Sequence, residues 1–394
     1  MKKYLIFVTV LTILWGCASQ KTVTTGPLIR LSPSEYPAFA DDMNYRELAE
    51  SIGQSLKYLR KIPKDRKFSF GEDSYDAAHM IRSLENFLVF IEKNPSQKET
   101  EKFIRSRYLV YKSIGRDQQG EVLFTGYYEP LLRGSRRESA EYRYPVYGPP
   151  KDMMTVDLSG FSSDLKGKKI IGRIDGDQFL PYYERKEIEQ NQVLRGKAPE
   201  LAWVNDPVDL FFLQIQGSGK IALDNGETIN VHYHSKNGRA YKSIGQVLID
   251  EKKISKEEMS MQKIRQYLRE HPEEQNRILN ANPSYVFFSI EKEGPLGAIN
   301  VPLTPGRSVA TDLSLFPRAA LTFLQTQKPV AASDGSGKVA DWVPFSRFVL
   351  NQDTGGAIKG PGRADIFWGN GEYAEIAAGH LKHTGSLYFL VMKP

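Results

Sequence analysis

The stretch Asp353-Thr-Gly-Gly-Ala-Ile-Lys-Gly-Pro-Gly-Arg-Ala-Asp365-Ile-Phe-Trp-Gly369 places four glycines between two aspartates. Glycine permits positive φ and close backbone approach, so we expect the segment to fold back sharply on itself. The two carboxylates would then converge, and a shared site would push their pKa values apart. A plainer interpretation, in which Asp353 and Asp365 only cap turns, is equally open on this stretch alone.

The composition is that of an ordinary globular protein that is long enough for two domains. The chain has 394 residues, 40% of them hydrophobic and 25% charged, with a formal net charge of +6 at pH 7. This mildly basic balance is compatible with an acidic polymer as a partner. The sequence has no long Lys/Arg run and no nucleic-acid-binding motif, so we expect no DNA or RNA partner.

Residues 1–16 have the pattern of a secretory signal peptide. Two lysines precede an apolar run over residues 4–15, which is too short for a comfortable transmembrane helix. The segment that ends at Cys17 resembles a bacterial lipobox with Cys17 as the acylated residue. Cys17 is the only cysteine in the chain, and lipid attachment would explain an unpaired cysteine in a secreted protein.

The residues after Cys17 predict the location of the protein. Residues 17–40 read as a polar, lipid-anchored tether. Ala18 follows the cysteine, whereas an Asp there would resemble an inner-membrane retention signal. By this resemblance the protein is an outer-membrane lipoprotein on the periplasmic face of a Gram-negative bacterium.

The order of helix and strand patterns indicates a mainly β protein with N-terminal helices. Asn44 and Glu47 form a capping-box-like start to a first helix, and helical spacing recurs over about 75–93 and 101–111. From about Val122 the chain turns to short β-branched and aromatic runs, among them 209–223, which predict strands. One more helix is expected between a Ser255–Glu258 capping box and Pro272. Short strands at this spacing favour a barrel-like architecture.

Six stretches together resemble one family, the membrane-bound lytic murein transglycosylases of type A. They occur in the family's order over residues 124–394, behind the lipobox. A single one of them would be a weak signal, but six in sequence are specific. They are FTGYYEP (124–130), DLFFLQIQGSGKI (209–221), NGRAYKSIGQVLID (237–250), NPSYVFF (282–288), RSVATD (307–312), and DTGGAIKG with ADIFWG (353–369).

The resemblance implies a two-domain fold with a groove that holds a glycan strand. One domain is a double-psi β-barrel, built from residues 41–130, which include the helices, and from residues 291–394. A second β-domain, residues 131–290, is inserted between these two parts. The C-terminal part resembles the family's three-aspartate (3D) domain, and its matching positions are Asp312, Asp353 and Asp365.

The resemblance also implies an activity in cell-wall turnover. Such enzymes cut the β-1,4 bond between N-acetylmuramic acid and N-acetylglucosamine of peptidoglycan without water and leave a 1,6-anhydro ring. The family's catalytic acid corresponds to Asp365, whose carboxyl would act first as general acid and then as general base. Its pKa would have to be raised, with Asp353 the stronger and Asp312 the weaker candidate for the neighbouring carboxylate. The mechanism requires no metal or organic cofactor, and partners in a wall-synthesis complex stay open.

Further family positions that line the groove correspond to Thr125, Tyr127, Tyr128, Gln216 and Ser218. Hydroxyl and amide groups bind sugar hydroxyls and acetamido groups, and tyrosine rings stack on pyranose faces. Adjacent residues of a strand point to opposite sides, so at most one of the two tyrosines is expected to face the groove.

Two other site types have less support in the sequence. The histidine pairs His232/His234 and His380/His383 have ligand-like spacing, but nothing supplies a third zinc ligand at a recognisable distance. Ser218 is not in a G-x-S-x-G nucleophile elbow, and no His–Asp partner is evident. Structural histidines and a non-nucleophilic serine are therefore favoured.

Two alternative functions remain. An inverting glycoside hydrolase on the same barrel would use Asp365 as acid and Asp353 as base, with carboxyl groups roughly 6.5–9.5 Å apart, and would leave reducing ends. A non-catalytic wall-binding lipoprotein would bind sacculi without releasing soluble fragments. The products released from purified sacculi distinguish all three.

Overall fold

The computed structural model describes residues 26–334 and 337–394, so the predicted signal peptide and Cys17 lie outside the described residues. The strands of the described part are β1 Leu28–Arg30, β2 Lys67–Phe70, β3 Asp73–Asp76, β4 Tyr108–Ser113, β5 Val122–Tyr127, β6 Leu131–Ser135, β7 Tyr144–Tyr147, β8 Met154–Asp157, β9 Lys169–Asp175, β10 Gln178–Pro181, β11 Glu200–Val204, β12 Ser218–Leu223, β13 Thr228–Lys236, β14 Val286–Glu291, β15 Ser308–Ala310, β16 Leu321–Ala331, β17 Val339–Asp353, β18 Arg363–Phe367 and β19 His383–Met392. The α-helices of this part are α1 Leu48–Lys61, α2 Ala77–Ile91, α3 Gln97–Arg107, α4 Arg185–Glu189, α5 Pro207–Gln216, α6 Ile244–Asp250, α7 Met261–Glu270, α8 Pro272–Asn280 and α9 Glu372–His380.

A closed barrel organises the N- and C-terminal parts of the chain. Strands β5, β19, β16, β17, β15 and β18 pair in that order, and β5 closes the ring by pairing with both β18 and β19. Strands β4 and β1 extend the sheet outward from β19. Because a closed ring has no unpaired edge, its strand register is strongly fixed. The predicted mainly β fold with a barrel is confirmed, while the double-psi crossing of its strands stays a prediction.

The N-terminal helices share one hydrophobic core with the barrel. Helix α1 buries Leu48 and Ile52, and α2 buries Phe87, whose ring centroid lies 5.0 Å from that of Phe348 in β17. A buried ion pair adds to this contact, because the Arg307 guanidinium donates to both carboxylate oxygens of Asp41 at 2.7 and 2.9 Å. Bidentate Arg–carboxylate pairs fix geometry as well as charge. The helices and the barrel are therefore a single packed body.

A second β layer is built from the middle of the chain. Its six strands pair in the order β14-β13-β12-β6-β11-β7, and all of them lie between residues 131 and 291. A separate apolar core joins α5, α6, α7 and α8. A three-stranded sheet, β10-β9-β8, extends from the same segment. This is where the inserted domain is expected, although its bounds of 131–290 stay a prediction.

The run 209–223 was predicted as β, and its first half is instead helix α5. Asp206 caps the helix by accepting hydrogen bonds from the backbone N–H groups of Val208 and Asp209, and Pro207 occupies the first turn. Gly217, at a φ of 81°, ends it. Proline at the first position and a left-handed glycine after the last are strong helix boundaries, and they outweigh the apolar run. The strand begins only at Ser218.

The predicted helix starts are also corrected in detail. Helix α1 begins at Leu48 behind Glu47, which has positive φ and makes no side-chain cap, so the Asn44–Glu47 capping box is wrong. Helix α3 begins at Gln97 behind a Ser96–Glu99 capping box and ends where β4 begins, earlier than predicted. The Ser255–Glu258 pair is hydrogen-bonded but lies in a turn. Ser260 caps the helix that follows it.

Candidate active site

The two aspartates of the glycine-rich stretch lie on strands separated by a third strand. Ala310 of β15 is the register partner of Asp353 on one side and of Asp365 on the other. Neighbouring strands are about 4.8 Å apart, so the two aspartate Cα atoms are about 10 Å apart. The segment between them carries the chain over the end of β15. This crossing is the structural role of the glycine-rich turn.

The glycines are required where the turn contacts its neighbours. Gly360 has a φ of +80°, a backbone conformation that residues other than glycine and asparagine rarely adopt. A Cβ atom on Gly362 would lie 2.5 Å from the backbone nitrogen of Arg116. Glycine at these two positions allows the turn to lie directly against the barrel and to enter β18 in register.

Strand β18 presents alternate residues to the barrel core and to the outside. Ala364 and Ile366 are fully buried in the core, whereas Arg363 and Asp365 are partly exposed on the other face. This is the period-two alternation of a half-buried strand. The arginine and the aspartate therefore project together from the sheet.

Asp365 sits in a partly buried, sparsely hydrogen-bonded position. The Thr125 hydroxyl of β5 donates to Asp365 Oδ1 at 2.8 Å, and Arg363 Nη2 donates to the same hydroxyl oxygen at 3.3 Å. Burial raises the pKa of Asp365 to about 6, opposed by the Thr125 hydrogen bond and the Arg363 charge and reinforced by the charge of Asp353. A carboxyl with such a pKa exchanges protons near neutral pH.

Asp353 has more hydrogen-bond donors than Asp365. The Tyr127 hydroxyl donates to its Oδ2 at 2.7 Å, and the backbone N–H groups of Ala298 and Thr354 donate to its Oδ1 at 2.9 and 2.8 Å. Burial raises the pKa of Asp353 to about 6, and these three donors oppose the shift. Burial and the neighbouring Asp353 carboxylate raise the pKa of Tyr127, which keeps its hydroxyl a donor.

Asp312 lies apart from this pair and holds the turn in place. Its Oδ1 accepts from the hydroxyl and the backbone N–H of Ser314 at 2.6 and 3.1 Å, and its Oδ2 accepts from Gly360 N–H at 2.9 Å. Burial alone would raise the pKa of Asp312, but these hydrogen bonds outweigh it and lower the pKa. Asp312 therefore supports the site by anchoring the turn and does not line the cleft.

A cleft of about 690 Å³ lies between the barrel and the second β layer. Asp365, Asp353 and Tyr127 line it from the barrel, and Gln216 and Ser218 line it from the opposite side. The structure thus brings the segment of Gln216 and Ser218 and the segment of Asp353 and Asp365 together in one cleft.

Thr125 and Tyr128 are not among the residues that line this cleft. Thr125 lies behind Asp365, to which it is hydrogen-bonded. Tyr128 is buried, its backbone N–H donates to Gln216 Oε1 at 3.2 Å, and its hydroxyl accepts from Arg265 at 3.3 Å. Of the two adjacent tyrosines, Tyr127 faces the cleft, as strand alternation requires, and Tyr128 supports Gln216.

Sequence reasoning missed several cleft residues. Arg363 precedes Asp365 by two positions. Because side chains of a strand alternate with a period of two residues, the sequence could have predicted that Arg363 shares the strand face of Asp365. The backbone N–H of Ala298, by contrast, carries no sequence signal. Lys359 lines the cleft from the turn, and His232 and Tyr241 line it from the second β layer.

Neither histidine pair forms a metal site. His232 lines the cleft and His234 is exposed on the solvent side, because the register of β13 shifts after Tyr233. In residues 26–334 and 337–394 no cluster of three or more His, Cys, Asp or Glu side chains is arranged to hold a metal ion. The same residues include no helix with both the length and the apolar character to cross a bilayer.

Two domain families match the chain. Residues 123–289 match the MltA specific insert domain, and residues 307–391 match the 3D domain. Fold and site together therefore define a protein in which a 3D-domain barrel and an inserted domain enclose a cleft that holds two aspartates.

Curated relatives and solved structures agree with this class. The membrane-bound lytic murein transglycosylase A of Escherichia coli K12 is 35% identical over 284 residues, 71% of this chain and 68% of the relative. That of Vibrio cholerae is 33% identical over 279 residues, 70% and 67% of the two chains. The chain belongs to the membrane-bound lytic murein transglycosylase A family.

Solved structures of the family share the fold over almost the whole chain. A membrane-bound lytic murein transglycosylase from Agrobacterium tumefaciens superposes with a TM-score of 0.74 at 28% identity and covers 93% of this chain and 97% of its own. The E. coli MltA structure with bound chitohexaose gives a TM-score of 0.72 at 28% identity, with coverage of 94% and 96%.

Proposed function

We propose that this protein is a lytic transglycosylase that cleaves the β-1,4 bond between N-acetylmuramic acid and N-acetylglucosamine of peptidoglycan without water. The product would carry a 1,6-anhydro ring on the muramoyl end. The observation that carries this proposal is the position of Asp365, a partly buried carboxyl with a pKa of about 6 in a cleft between two β layers. Membership of the family and the chitohexaose bound to a related structure support a glycan as the ligand.

The mechanism needs one carboxyl that works in both protonation states. Protonated Asp365 donates to the glycosidic oxygen as the bond breaks, and the resulting carboxylate then takes the proton from the C6 hydroxyl that attacks C1. A pKa of about 6 makes both forms accessible near neutral pH. The intermediate has carbocation character, and the negative charge of Asp353 or the substrate's own N-acetyl group would stabilise it.

The unequal hydrogen bonding of the two aspartates assigns their roles. Three donors point at the Asp353 carboxylate and one at that of Asp365. Hydrogen bonds to the charged form favour ionisation, and we therefore take Asp353, with three donors, as the carboxyl that carries the charge. Its negative charge then favours the protonated form of Asp365. We therefore assign the acid and base steps to Asp365 and the supporting charge to Asp353.

The same contacts disfavour an inverting hydrolase. In that mechanism Asp353 would have to act as a base that deprotonates a water, and its three hydrogen-bond donors lower its basicity. A protein that only binds the cell wall would gain nothing from Asp365, a carboxyl whose desolvation costs stability. Lytic cleavage uses both the desolvated Asp365 as acid and base and the hydrogen-bonded Asp353 as a supporting charge.

The proposed glycan contacts are Tyr127, Gln216 and Ser218, which line the cleft. Thr125 and Tyr128, which lie behind it, would act by holding Asp365 and Gln216 in place. Asp312 would act through the turn that it anchors.

Mass spectrometry of fragments released from purified sacculi tests the reaction. Lytic cleavage gives muramoyl ends one water lighter than hydrolysis does, and these ends resist borohydride reduction. Reducible ends would support the hydrolase, and a lack of soluble fragments would support the wall-binding protein.

The relatives' description as membrane-bound supports a membrane-associated protein. We further propose that the anchor is a lipid on Cys17, that the membrane is the outer membrane, and that the two β layers face the periplasm. Partners in a wall-synthesis complex stay a prediction from the sequence.

A further inference from the structure

Arg363 occupies an unusual position beside the proposed acid. It lines the cleft next to Asp365, and its side chain makes a hydrogen bond of 3.3 Å to the hydroxyl of Thr125. No carboxylate among the described residues forms an ion pair with it within 4 Å, although nineteen such pairs occur elsewhere in that part of the chain. Its Nε atom is buried and has no hydrogen-bond partner. This partly buried cation has lost water without forming a direct ion pair, and the more distant charge of Asp365 favours its charged form.

Two further cations increase the positive charge at this end of the cleft. Lys359 lines the cleft from the turn, is exposed, and forms no ion pair within the described part of the chain. Arg116 packs against Gly362. Burial lowers the pKa of Arg363, the charge of Asp365 opposes this shift, and the like charge of Arg116 adds to it. An anion that enters beside Asp365 would relieve this repulsion.

The proposed substrate carries its anions at one place on the glycan. The sugar rings of peptidoglycan are uncharged, and the lactyl arm of each muramoyl residue ends either in a free carboxylate or in a peptide stem that bears carboxylates. A guanidinium offers paired N–H donors that match a carboxylate in geometry and charge. The geometry points to Arg363 as the residue that binds a carboxylate carried by the lactyl arm, with Lys359 as a weaker second contact. This inference rests on the proposed peptidoglycan function.

Such a contact would also couple recognition to catalysis. The Arg363 charge lowers the pKa of Asp365 in the free protein. A carboxylate on Arg363 neutralises that charge when the substrate binds, and it thereby favours the protonated Asp365 that the first step needs. A neutral chitin strand binds the same cleft without this effect.

Binding measured in an Asp365→Asn background tests the inference without turnover. The three probes are chitohexaose, which has no lactyl arm, amidase-treated glycan strands with free lactyl carboxylates, and strands with intact stems. Arg363→Gln should weaken binding of at least one of the two anionic probes roughly ten- to hundredfold and leave chitohexaose within about twofold. Arg363→Lys, which keeps the charge, should retain most of the preference for the anionic probe.

The pattern across the probes identifies the source of the anion. Loss on amidase-treated strands assigns the lactyl carboxylate, and loss on stem-bearing strands alone assigns a stem carboxylate. Equal loss on all three probes, or no loss on either anionic probe, overturns the inference. Arg137→Gln is the matched control, because Arg137 is exposed and does not line the cleft. Failure of the reaction on sacculi would reject the proposed function but would not change this binding pattern.

Discussion

Thr125 and Asp365 are register partners across β5 and β18, and the Thr125 hydroxyl donates to the Asp365 carboxylate at 2.8 Å. Arg363 donates to the oxygen of that hydroxyl, so the hydroxyl proton is left to point at Asp365. This donor stabilises the ionised form of the carboxyl and opposes the effect of burial. Thr125 therefore lowers the pH at which the proposed acid loses its proton.

Replacing Thr125 by valine should move the pH profile in a defined direction. Without the donor the pKa of Asp365 rises, so the limb on which activity falls as the acid deprotonates should move to higher pH. The maximal rate should fall by less than about tenfold, because the acid itself remains. Thr125→Ser, which keeps the hydroxyl, should leave the limb in place. An unmoved limb in Thr125→Val, measured on purified glycan strands, would show that the hydroxyl does not tune Asp365.

Asp365→Asn should abolish nearly all cleavage. The amide keeps the shape of the side chain but transfers no proton, and general acid–base catalysis is worth about 10²–10⁴-fold. Because one carboxyl serves both steps, we expect a loss at or above the upper end of this range. Release of soluble fragments from sacculi measures it, and retained binding of chitohexaose shows that the cleft is intact. A rate near that of the wild type would reject the assignment of Asp365.

Asp312→Ala should lower stability more than a surface substitution does. It leaves the N–H groups of Ser314 and Gly360 without their acceptor, which costs about 1–3 kcal/mol in the free energy of unfolding for a buried group. The folded state lowers the pKa of Asp312, so its contribution is present above the ordinary carboxyl pKa and is lost as the pH falls through the lowered value. Urea unfolding should therefore separate the two proteins more at pH 7 than at strongly acidic pH. A difference of the same size at both pH values would exclude the ionised form of Asp312 as a source of stability.

The barrel strands and the sharp reversal before β18 were predictable because their signals are local. Period-two alternation marks β18, and the glycine-rich turn marks a sharp reversal before it. Helix α5 differs from the predicted strand because its apolar run suits both a buried strand and a buried helix. The residues that start the helix, Asp206 and Pro207, precede the run 209–223. Local boundary signals would have resolved that case.

The environment of the acids was not predictable in the same way. The placement of β15 between Asp353 and Asp365, and the donation from Ala298 N–H, depend on segments more than 40 residues away in the chain. No local pattern encodes which strand enters between two others. The unequal hydrogen bonding that assigns the acid is for this reason visible only in the folded protein.

Cys17→Ser should release the protein from the membrane. The variant lacks the thiol that accepts the lipid, and one or more acyl chains supply the binding free energy of a lipoprotein anchor. We expect an unprocessed or soluble periplasmic form, measured by fractionation and by mass spectrometry of the mature N-terminus. Recovery of the variant in the outer-membrane fraction at the wild-type level would contradict the anchor.

Asp353→Asn distinguishes lytic cleavage from hydrolysis. In the proposed mechanism it removes a negative charge that raises the pKa of Asp365, so that pKa falls and activity should be lost at lower pH than in the wild type. The maximal rate should fall less than in Asp365→Asn, and the products should keep their anhydro ends. In a two-carboxylate hydrolase both substitutions would be about equally damaging, because each removes one partner of the reaction. Rates of both variants between about pH 4 and 8, with product masses, decide between the two mechanisms. Tyr127→Phe removes one donor to Asp353 and so raises the pKa of Asp353. Because Asp353 is then less ionised, the same limb should move to lower pH, by less than in Asp353→Asn.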